Sequence, residues 1–146
     1  METDPWVSDS LRGLLARIGQ ARSELRQVVI LGIGPYYSRM LFNTDVFYGE
    51  VISNYYLLED DRMSPQQERA LLDQGWLPPG VKCHHGCRLP HPNFHRQWPR
   101  RTTSADLAAA LLRGLQAAWG ESGELVLSVI WRERPGDPSW GLPTAH

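Results

Sequence analysis

Apolar residues recur at helical spacing near the start of the chain and again around residue 110. The first stripe shares one helix face and consists of Leu11, Leu14, Leu15, Ile18, Ala21 and Leu25. It predicts a helix capped by Ser8 or Ser10. The second stripe consists of Leu107, Leu111, Leu115 and Ala118. It predicts a helix that starts near Thr103 or Ser104 and ends at Gly120.

A shorter helix between these two is delimited by the residues at its ends. Ser64 can cap it, Pro65 suits its first position, and Gln67 can complete a reciprocal capping box. Gly75 fits the left-handed residue that closes a helix, and Trp76 follows where it can pack back on the last turn. The sequence therefore predicts a helix that begins at Pro65 and ends just before Gly75.

Strand patterns lie between the helices. Val28–Ile33, Tyr36–Phe42 and Val46–Ser53 are separated by the turn sequences Gly34-Pro35 and Asn43-Thr44-Asp45. Strands joined so closely form an antiparallel meander. Two later strands are expected at residues 93–98 and 125–131. Strands grouped early, with helices around them, predict a single α+β domain with three helices packed around an antiparallel β-meander sheet.

Length and charge limit the class of protein. The chain has 146 residues, which fits one domain. We expect that domain to span residues 1–132, followed by a flexible C-terminal tail at 133–146. The formal net charge of −1 does not provide the concentrated basic surface that nucleic acid requires. No apolar run reaches the roughly 20 residues of a membrane helix, and no secretory leader is recognisable. We expect a cytoplasmic protein that binds neither nucleic acid nor membrane.

Residue types that bind metals are concentrated in one proline-interrupted stretch. Cys83, Cys87, His91 and His95 follow one another at intervals of four. Such ligands suit Zn²⁺, but common zinc sites separate the Cys pair from the His pair by a longer element. A solvated loop without a cofactor is the simpler interpretation. A catalytic Cys–His pair is normally assembled from distant positions, so we expect no catalytic residue here.

Aromatic residues concentrate in and beside the predicted sheet: Tyr36, Tyr37, Phe47, Tyr48, Tyr55, Tyr56, Trp76, Phe94 and Trp98. Because alternate residues of a strand face opposite sides, these rings cannot all enter one core. Either some are exposed and anchor a peptide, or both faces of the sheet are covered; the sequence does not decide between these. In the first case the predicted peptide contacts are Arg39, Tyr48, Glu50, Tyr55, Tyr56 and Arg96.

Short motifs follow one another from Phe47 to Trp98: Gly49-Glu50-Val51, Ser53-Asn54, Tyr56-Leu57, Met63–Glu68, Gly75-Trp76 and Pro92-Asn93-Phe94-x-Arg96. With the Leu-rich helix that follows, they resemble the actinobacterial TY-Chap-like domains, grouped with the type III secretion chaperones and the YbjN-type peptide-binding chaperones. The resemblance implies a type III secretion chaperone-like fold. It also implies binding of extended peptide segments, commonly as a homodimer, without cofactor or catalytic residues.

The primary hypothesis is therefore a noncatalytic peptide- or protein-binding chaperone or adaptor. It would bind an extended client segment by strand addition at a sheet edge or by docking on an aromatic face. One alternative is a zinc-binding regulator or small metal-dependent enzyme that uses the loop from Cys83 to His95. Another is an accessory subunit of a biosynthetic or secretion complex that dimerises through its final strand.

Overall fold

The computed structural model describes residues 5–24, 27–80, 92–120 and 126–131, with side chains for all of these except 5–11 and 126–131. Its elements are α1 (Pro5–Glu24), β1 (Gln27–Ile33), β2 (Tyr36–Phe42), β3 (Val46–Val51), a 3₁₀ turn (Glu59–Asp61), α2 (Pro65–Asp73), β4 (Phe94–Pro99), α3 (Ser104–Trp119) and β5 (Val126–Trp131). The predicted α+β class with three helices is confirmed. The predicted tail at 133–146 lies outside the described residues.

The sheet has five strands in the order β4-β3-β2-β1-β5, and every neighbouring pair is antiparallel. The predicted meander forms its centre. β4 extends it on one side, where Phe94 pairs with Val51, and β5 extends it on the other, where Ile130 pairs with Val28. The two late strands are therefore the edges of a sheet whose middle comes from the first third of the chain.

The two hairpin turns have the chemistry that the sequence predicts. Gly34 adopts a φ of +54°, which a tight two-residue turn favours and which a glycine reaches without steric cost. In the next turn, Asn43 Oδ1 accepts hydrogen bonds from the backbone N–H groups of Asp45 (3.1 Å) and Val46 (3.0 Å). These local bonds fix the register of β2 against β1 and β3.

The ends of α2 also match the prediction. Ser64 Oγ accepts from the Gln67 N–H at 3.2 Å, and Gln67 Oε1 accepts from the Ser64 N–H at 2.6 Å, which completes a capping box. At the other end the Trp76 N–H donates to the Leu71 carbonyl at 3.2 Å, and Gly75 has a φ of +97°. This is a Schellman ending, so the last carbonyls of α2 are hydrogen-bonded.

The predicted start of α1 is wrong. The helix begins at Pro5, so Ser8 and Ser10 lie inside it and cannot cap it. A proline suits the first position of a helix because its fixed φ is helical and its missing N–H would have had no helical acceptor. The start of α3 is as predicted: Thr103 Oγ1 accepts from the Asp106 N–H at 3.1 Å.

The main core lies between the sheet and the helices. Helices α1 and α3 pack on one face of the sheet and α2 packs against α3. Ser38 Oγ donates to the Leu111 carbonyl at 2.8 Å, which identifies the face that the helices cover. The buried strand residues of this helix-covered face are Gln27, Val29, Leu31, Ser38, Met40, Phe42, Phe47, Gly49, Val51, Phe94 and Trp98.

The opposite face, here called the second face, carries the alternate residues of each strand. Its described side chains are Val28, Ile30, Tyr37, Arg39, Leu41, Val46, Tyr48, Glu50, His95 and Gln97. No helix among the described residues packs on it. The two faces differ in chemistry, because most buried residues of the helix-covered face are apolar whereas the second face carries a buried ion pair and hydroxyl groups.

Candidate functional site

An ion pair lies near the centre of the second face. Arg39 of β2 stands directly across from Glu50 of β3, and Arg39 Nη2 lies 2.9 Å from Glu50 Oε1. The Glu50 side chain is fully buried, whereas 19% of the Arg39 side chain is exposed. Removing either partner would leave the other as a poorly compensated charge, so the two side chains act as a unit.

Asn93 connects this ion pair to the start of β4. Its Nδ2 donates to Glu50 Oε1 and to the Tyr37 hydroxyl, both at 3.0 Å. Its Oδ1 accepts from the Ser53 N–H at 3.0 Å. Asn93 is fully buried, and both ends of its amide are hydrogen-bonded. It therefore holds the end of β3, the start of β4 and the ion pair in one arrangement.

Aromatic rings surround the ion pair. The Arg39 guanidinium carbon lies 5.3 Å from the Tyr37 ring centroid, a cation–π distance. The Tyr48 ring stacks on the His95 ring with centroids 6.5 Å apart and planes 19° apart. Tyr48 is only 4% exposed and His95 is fully buried. These two rings are therefore enclosed members of the second face and not exposed anchors.

Tyr55 and Tyr56 lie in the loop that follows β3. Their rings meet edge to face at 4.7 Å. Tyr55 is 75% exposed, while Tyr56 is partly buried. Burial raises the pKa of Tyr56, and Tyr37, Tyr55 and Glu50 raise it further while Arg39 lowers it. The Tyr56 hydroxyl is thus within electrostatic reach of the ion pair.

Glu50 Oε2 and the Tyr56 hydroxyl are buried polar atoms that have no hydrogen-bond partner among the described residues. A buried polar group without a partner costs about 1–3 kcal/mol, so such atoms are few in folded proteins. We call Tyr37, Arg39, Glu50, Tyr56 and Asn93 the Glu50 cluster. It holds one acceptor and one hydroxyl that a bound segment could satisfy.

Charge states within the Glu50 cluster follow from its burial. Burial lowers the pKa of Arg39, but the attraction of Glu50, with smaller contributions from tyrosines, outweighs it and the net shift is upward. Burial raises the pKa of Tyr37, and Glu50 adds to that rise. Burial and Glu50 raise the pKa of Tyr48 in the same way. A cationic arginine thus lies among neutral hydroxyl groups.

Arg96, the remaining predicted contact, lies on the helix-covered face. Its Nη1 donates to the Gln74 carbonyl at 2.7 Å, and its guanidinium carbon lies 5.0 Å from the Trp98 ring centroid. Burial lowers the pKa of Arg96. The structure therefore brings Arg39, Tyr48, Glu50, Tyr55 and Tyr56 together and leaves Arg96 apart, where it binds the end of α2.

Two residues of the Glu50 cluster, Tyr37 and Asn93, were not among the predicted contacts. Their signal in the sequence is weak. Tyr37 alternates in phase with Arg39, which places both on one face. Asn93 stands at the start of a predicted short strand, and a buried amide needs hydrogen-bond partners. Alternation also places Arg96 with Phe94 and Trp98, so its position on the apolar face could have been found.

The surplus of aromatic rings is mostly enclosed. On the helix-covered side Phe47, Trp76, Phe94 and Trp98 are all buried. Tyr48 is buried on the second face, and Tyr36, Tyr37 and Tyr56 are partly buried. Of the nine rings considered from the sequence, Tyr55 alone is largely exposed. Most of the rings are therefore core on one face or the other, and Tyr55 is the accessible one.

The two edges of the sheet differ. Leu77 pairs with His95 through N–H···O bonds of 2.8 and 3.1 Å, and the Pro99 carbonyl accepts from the Thr102 N–H at 3.0 Å. Alternate residues of an edge strand turn their backbone N–H and C=O groups outward. In β4 these residues are His95, Gln97 and Pro99, so only the backbone of Gln97 is available to pair with another strand. Within the described ranges no strand pairs with the outer side of β5.

The predicted zinc ligands fall mainly outside the described residues, which include neither Cys83 nor Cys87 nor His91. His95 lies buried in β4, with Nδ1 at 3.2 Å from the Asn93 carbonyl. In the part of the chain that the structure describes, no three His, Cys, Asp or Glu side chains are grouped to hold a metal. None of the described helices has the length and apolarity needed to cross a bilayer.

Comparison with known families agrees with this fold. The family model described as "T3SS (YopN, CesT) and YbjN peptide-binding chaperone 3" matches residues 9–128, well over half of the chain. No curated protein matches the chain. No solved structure matches it either. The matched range extends from α1 into β5 and includes the whole Glu50 cluster, and the chain belongs to this family of peptide-binding chaperones.

Proposed function

We propose that this protein is a noncatalytic chaperone or adaptor that binds an extended client segment at the Glu50 cluster. Family membership supports a peptide-binding role in general. The observation that carries the choice of site is the pair of unpartnered buried atoms, Glu50 Oε2 and the Tyr56 hydroxyl. An extended peptide presents an N–H and a carbonyl at every residue, which are the partners that these two atoms need.

The chemistry of the cluster suits recognition of a peptide main chain. A carboxylate oxygen that accepts from a backbone N–H forms a charge-assisted hydrogen bond, which is roughly twice as strong as a neutral one. The Tyr56 hydroxyl can donate to a neighbouring carbonyl. Neither bond depends on the client's side chains. The cluster can therefore bind segments of varied sequence, which a chaperone requires.

Accessible side chains surround these buried atoms. Tyr55 is 75% exposed, and Arg39 and Tyr56 are partly exposed. Because Glu50 is fully buried, a client N–H reaches it only when the side chains that cover it move aside. Tyr55 then offers an apolar surface to the client side chain next to the bound amide. Aromatic residues of this kind commonly supply most of the affinity in peptide recognition.

Strand addition is the other binding mode predicted from the sequence. The outer edge of β4 is unsuited to it, because Leu77 and Thr102 already bond that edge. Addition to β5 would leave the Glu50 cluster untouched. The same β5 edge is where the expected homodimer would form, and light scattering at several protein concentrations tests that expectation.

The site is tested by fluorescence anisotropy with a pool of short, randomised, labelled peptides. We expect the wild-type protein to bind the pool and the Tyr56→Phe and Tyr55→Ser variants to bind it about five-fold more weakly. Leu72→Ser is the matched control, because Leu72 is exposed on α2, on the helix side of the molecule. Wild-type affinity in both tyrosine variants would move the site elsewhere, and no binding by the wild type would contradict the function itself.

A further inference from the structure

The loop between β3 and α2, which contributes Tyr56 to the Glu50 cluster, exposes two large apolar side chains. Tyr55 is 75% exposed and Leu58 is 78% exposed. Leu57 and Met63 of the same loop are buried, at 5% and 4% exposed. Leu57 and Met63 therefore anchor the loop in the core, whereas Tyr55 and Leu58 remain on the surface.

Hydrogen bonds hold this loop in one conformation. Asn54 Oδ1 accepts from the Met63 N–H at 2.6 Å, and Asn54 Nδ2 donates to the Met63 carbonyl at 3.0 Å. The Tyr36 hydroxyl donates to the Asp61 carbonyl at 2.5 Å. A surface that is already ordered loses little conformational entropy when a partner binds. Tyr55 and Leu58 are thus presented in a form suited to binding.

Acidic side chains directly follow the two apolar ones. Glu59, Asp60 and Asp61 form the 3₁₀ turn, and Glu59 and Asp60 are exposed. None of the three takes part in an ion pair within the described ranges. Arg62 offsets one of these charges, so the segment from 59 to 62 remains net negative. An apolar surface bordered by unpaired carboxylates is complementary to an apolar residue with a basic neighbour.

We propose that this loop selects client segments in which an apolar side chain lies within a few residues of Lys or Arg. The inference rests on the proposed peptide-binding function and specifies which clients it favours. Tyr55 and Leu58 bind the apolar side chain, Glu59 and Asp60 attract the cation, and the adjoining Glu50 cluster binds the main chain. Positions 55 and 60 are at most about 18 Å apart along the backbone, so a client segment of roughly five extended residues spans them. Segments rich in Asp or Glu are repelled.

The experiment is a binding selection from a library of short randomised peptides against the folded wild-type protein, followed by sequencing. We expect recovered peptides to be enriched in Lys or Arg close to an aromatic or large aliphatic residue. Asp60→Lys should lower the affinity for the most enriched basic peptide about three- to ten-fold, because it replaces an attraction between exposed charges by a repulsion. High salt should weaken the wild-type complex as well, since exposed charges are screened.

Asp73→Lys is the matched control, because it makes the same change of charge at an exposed position on α2. We expect its peptide affinity to stay within about two-fold of the wild type. A second variant, Tyr55→Ser with Leu58→Ser, removes only exposed side chains and should abolish the apolar preference.

Several outcomes would overturn the inference. Recovered peptides without a charge bias, or equal losses in Asp60→Lys and Asp73→Lys, would contradict it while leaving the proposed function standing. No recovered peptide would contradict both. A wild-type dimer that becomes monomeric in the Tyr55→Ser, Leu58→Ser variant would show that a second copy of the chain, and not a client, occupies the loop.

Discussion

Gly49 of β3 touches the indole of Trp98 in β4 so closely that a side chain has no room there. A Cβ atom at position 49 would lie 2.6 Å from Cζ3 of Trp98 and 3.4 Å from Cη2 of Trp76. The two indoles meet edge to face, with centroids 5.5 Å apart and planes at 79°. Gly49 therefore permits two large buried rings to pack at one point of the helix-covered face.

Gly49→Ala should destabilise the fold. The added methyl group would push the Trp98 ring out of position, and overpacking of this kind costs about 1–3 kcal/mol. The better strand propensity of alanine offsets only part of that cost. Urea denaturation followed by tryptophan fluorescence measures the change in the free energy of unfolding.

Gly19→Ala is the control for the glycine prediction. A Cβ there meets nothing within 4 Å, and Gly19 lies inside α1. Alanine should therefore raise the free energy of unfolding by about 0.5–1 kcal/mol. Equal stability of Gly49→Ala and the wild type would show that Trp98 moves aside without cost.

Asn93→Ala should be among the most damaging single changes near the Glu50 cluster. It removes hydrogen bonds to the Ser53 N–H, the Tyr37 hydroxyl and Glu50, all in a buried setting. Because these buried groups would lose their hydrogen-bond partner, we expect the free energy of unfolding to fall by about 2–4 kcal/mol. Gln20→Ala, an exposed change in α1, should leave stability within about 0.5 kcal/mol of the wild type. If Asn93→Ala lowered the stability as little as the control does, other groups would have to form hydrogen bonds with the atoms that Asn93 leaves.

Arg96→Ala should lower stability without lowering peptide affinity. The Arg96 side chain bonds the Gln74 carbonyl and covers the Trp98 ring, so its removal should cost about 1–2 kcal/mol. Thermal unfolding measures the first effect and peptide anisotropy the second. Arg69→Ala, in an exposed ion pair with Asp73, is the control for stability. A peptide affinity that falls while the variant remains folded would restore Arg96 as a contact residue.

Tyr56→Phe should leave the free energy of unfolding unchanged or slightly higher. The hydroxyl that it removes is buried and has no partner among the described residues. Deleting such a group is neutral or favourable, by up to about 1 kcal/mol. Tyr37→Phe is the control, because its hydroxyl accepts from Asn93 and its loss should destabilise. A marked destabilisation by Tyr56→Phe would reveal an intramolecular role for the hydroxyl and weaken the proposed binding site.

Stability should fall in alkali above the ordinary tyrosine pKa of about 10. Burial raises the pKa values of Tyr37, Tyr48 and Tyr56 in the folded protein. The unfolded chain therefore releases these protons first, and the native state binds more protons than the unfolded state. The free energy of unfolding then decreases as pH rises, by up to about 1.4 kcal/mol per pH unit for one fully buried tyrosine.

Tyrosinate absorbance during a pH titration checks this expectation directly. Of the five tyrosines in the chain, Tyr37, Tyr48 and Tyr56 should ionise only well above the ordinary range, or together with unfolding. Tyr48→Phe should reduce the dependence of stability on pH. Ionisation of all five near their ordinary pKa, with the fold intact, would contradict the burial of these hydroxyls.

The amino-acid sequence by itself determined the local structure of this protein. The capping box at Ser64, the ending at Gly75 and the hairpin turn at Asn43 were predictable because their hydrogen bonds join residues that are close along the chain. Alternation within a strand is equally local, so Tyr48 and Glu50 could be placed on one face of β3 before their partners were known. The family resemblance rested on the same short motifs.

Tertiary structure decided what these elements do together. The pairing of β5 with β1, the position of β4 at the other edge and the hydrogen bonds from Asn93 to Glu50 join residues far apart in the sequence. Whether Tyr48 is enclosed and Tyr55 exposed depends on the same distant contacts. Local propensities do not predict such contacts, because the free energy of these contacts arises only when the separated segments are packed against one another.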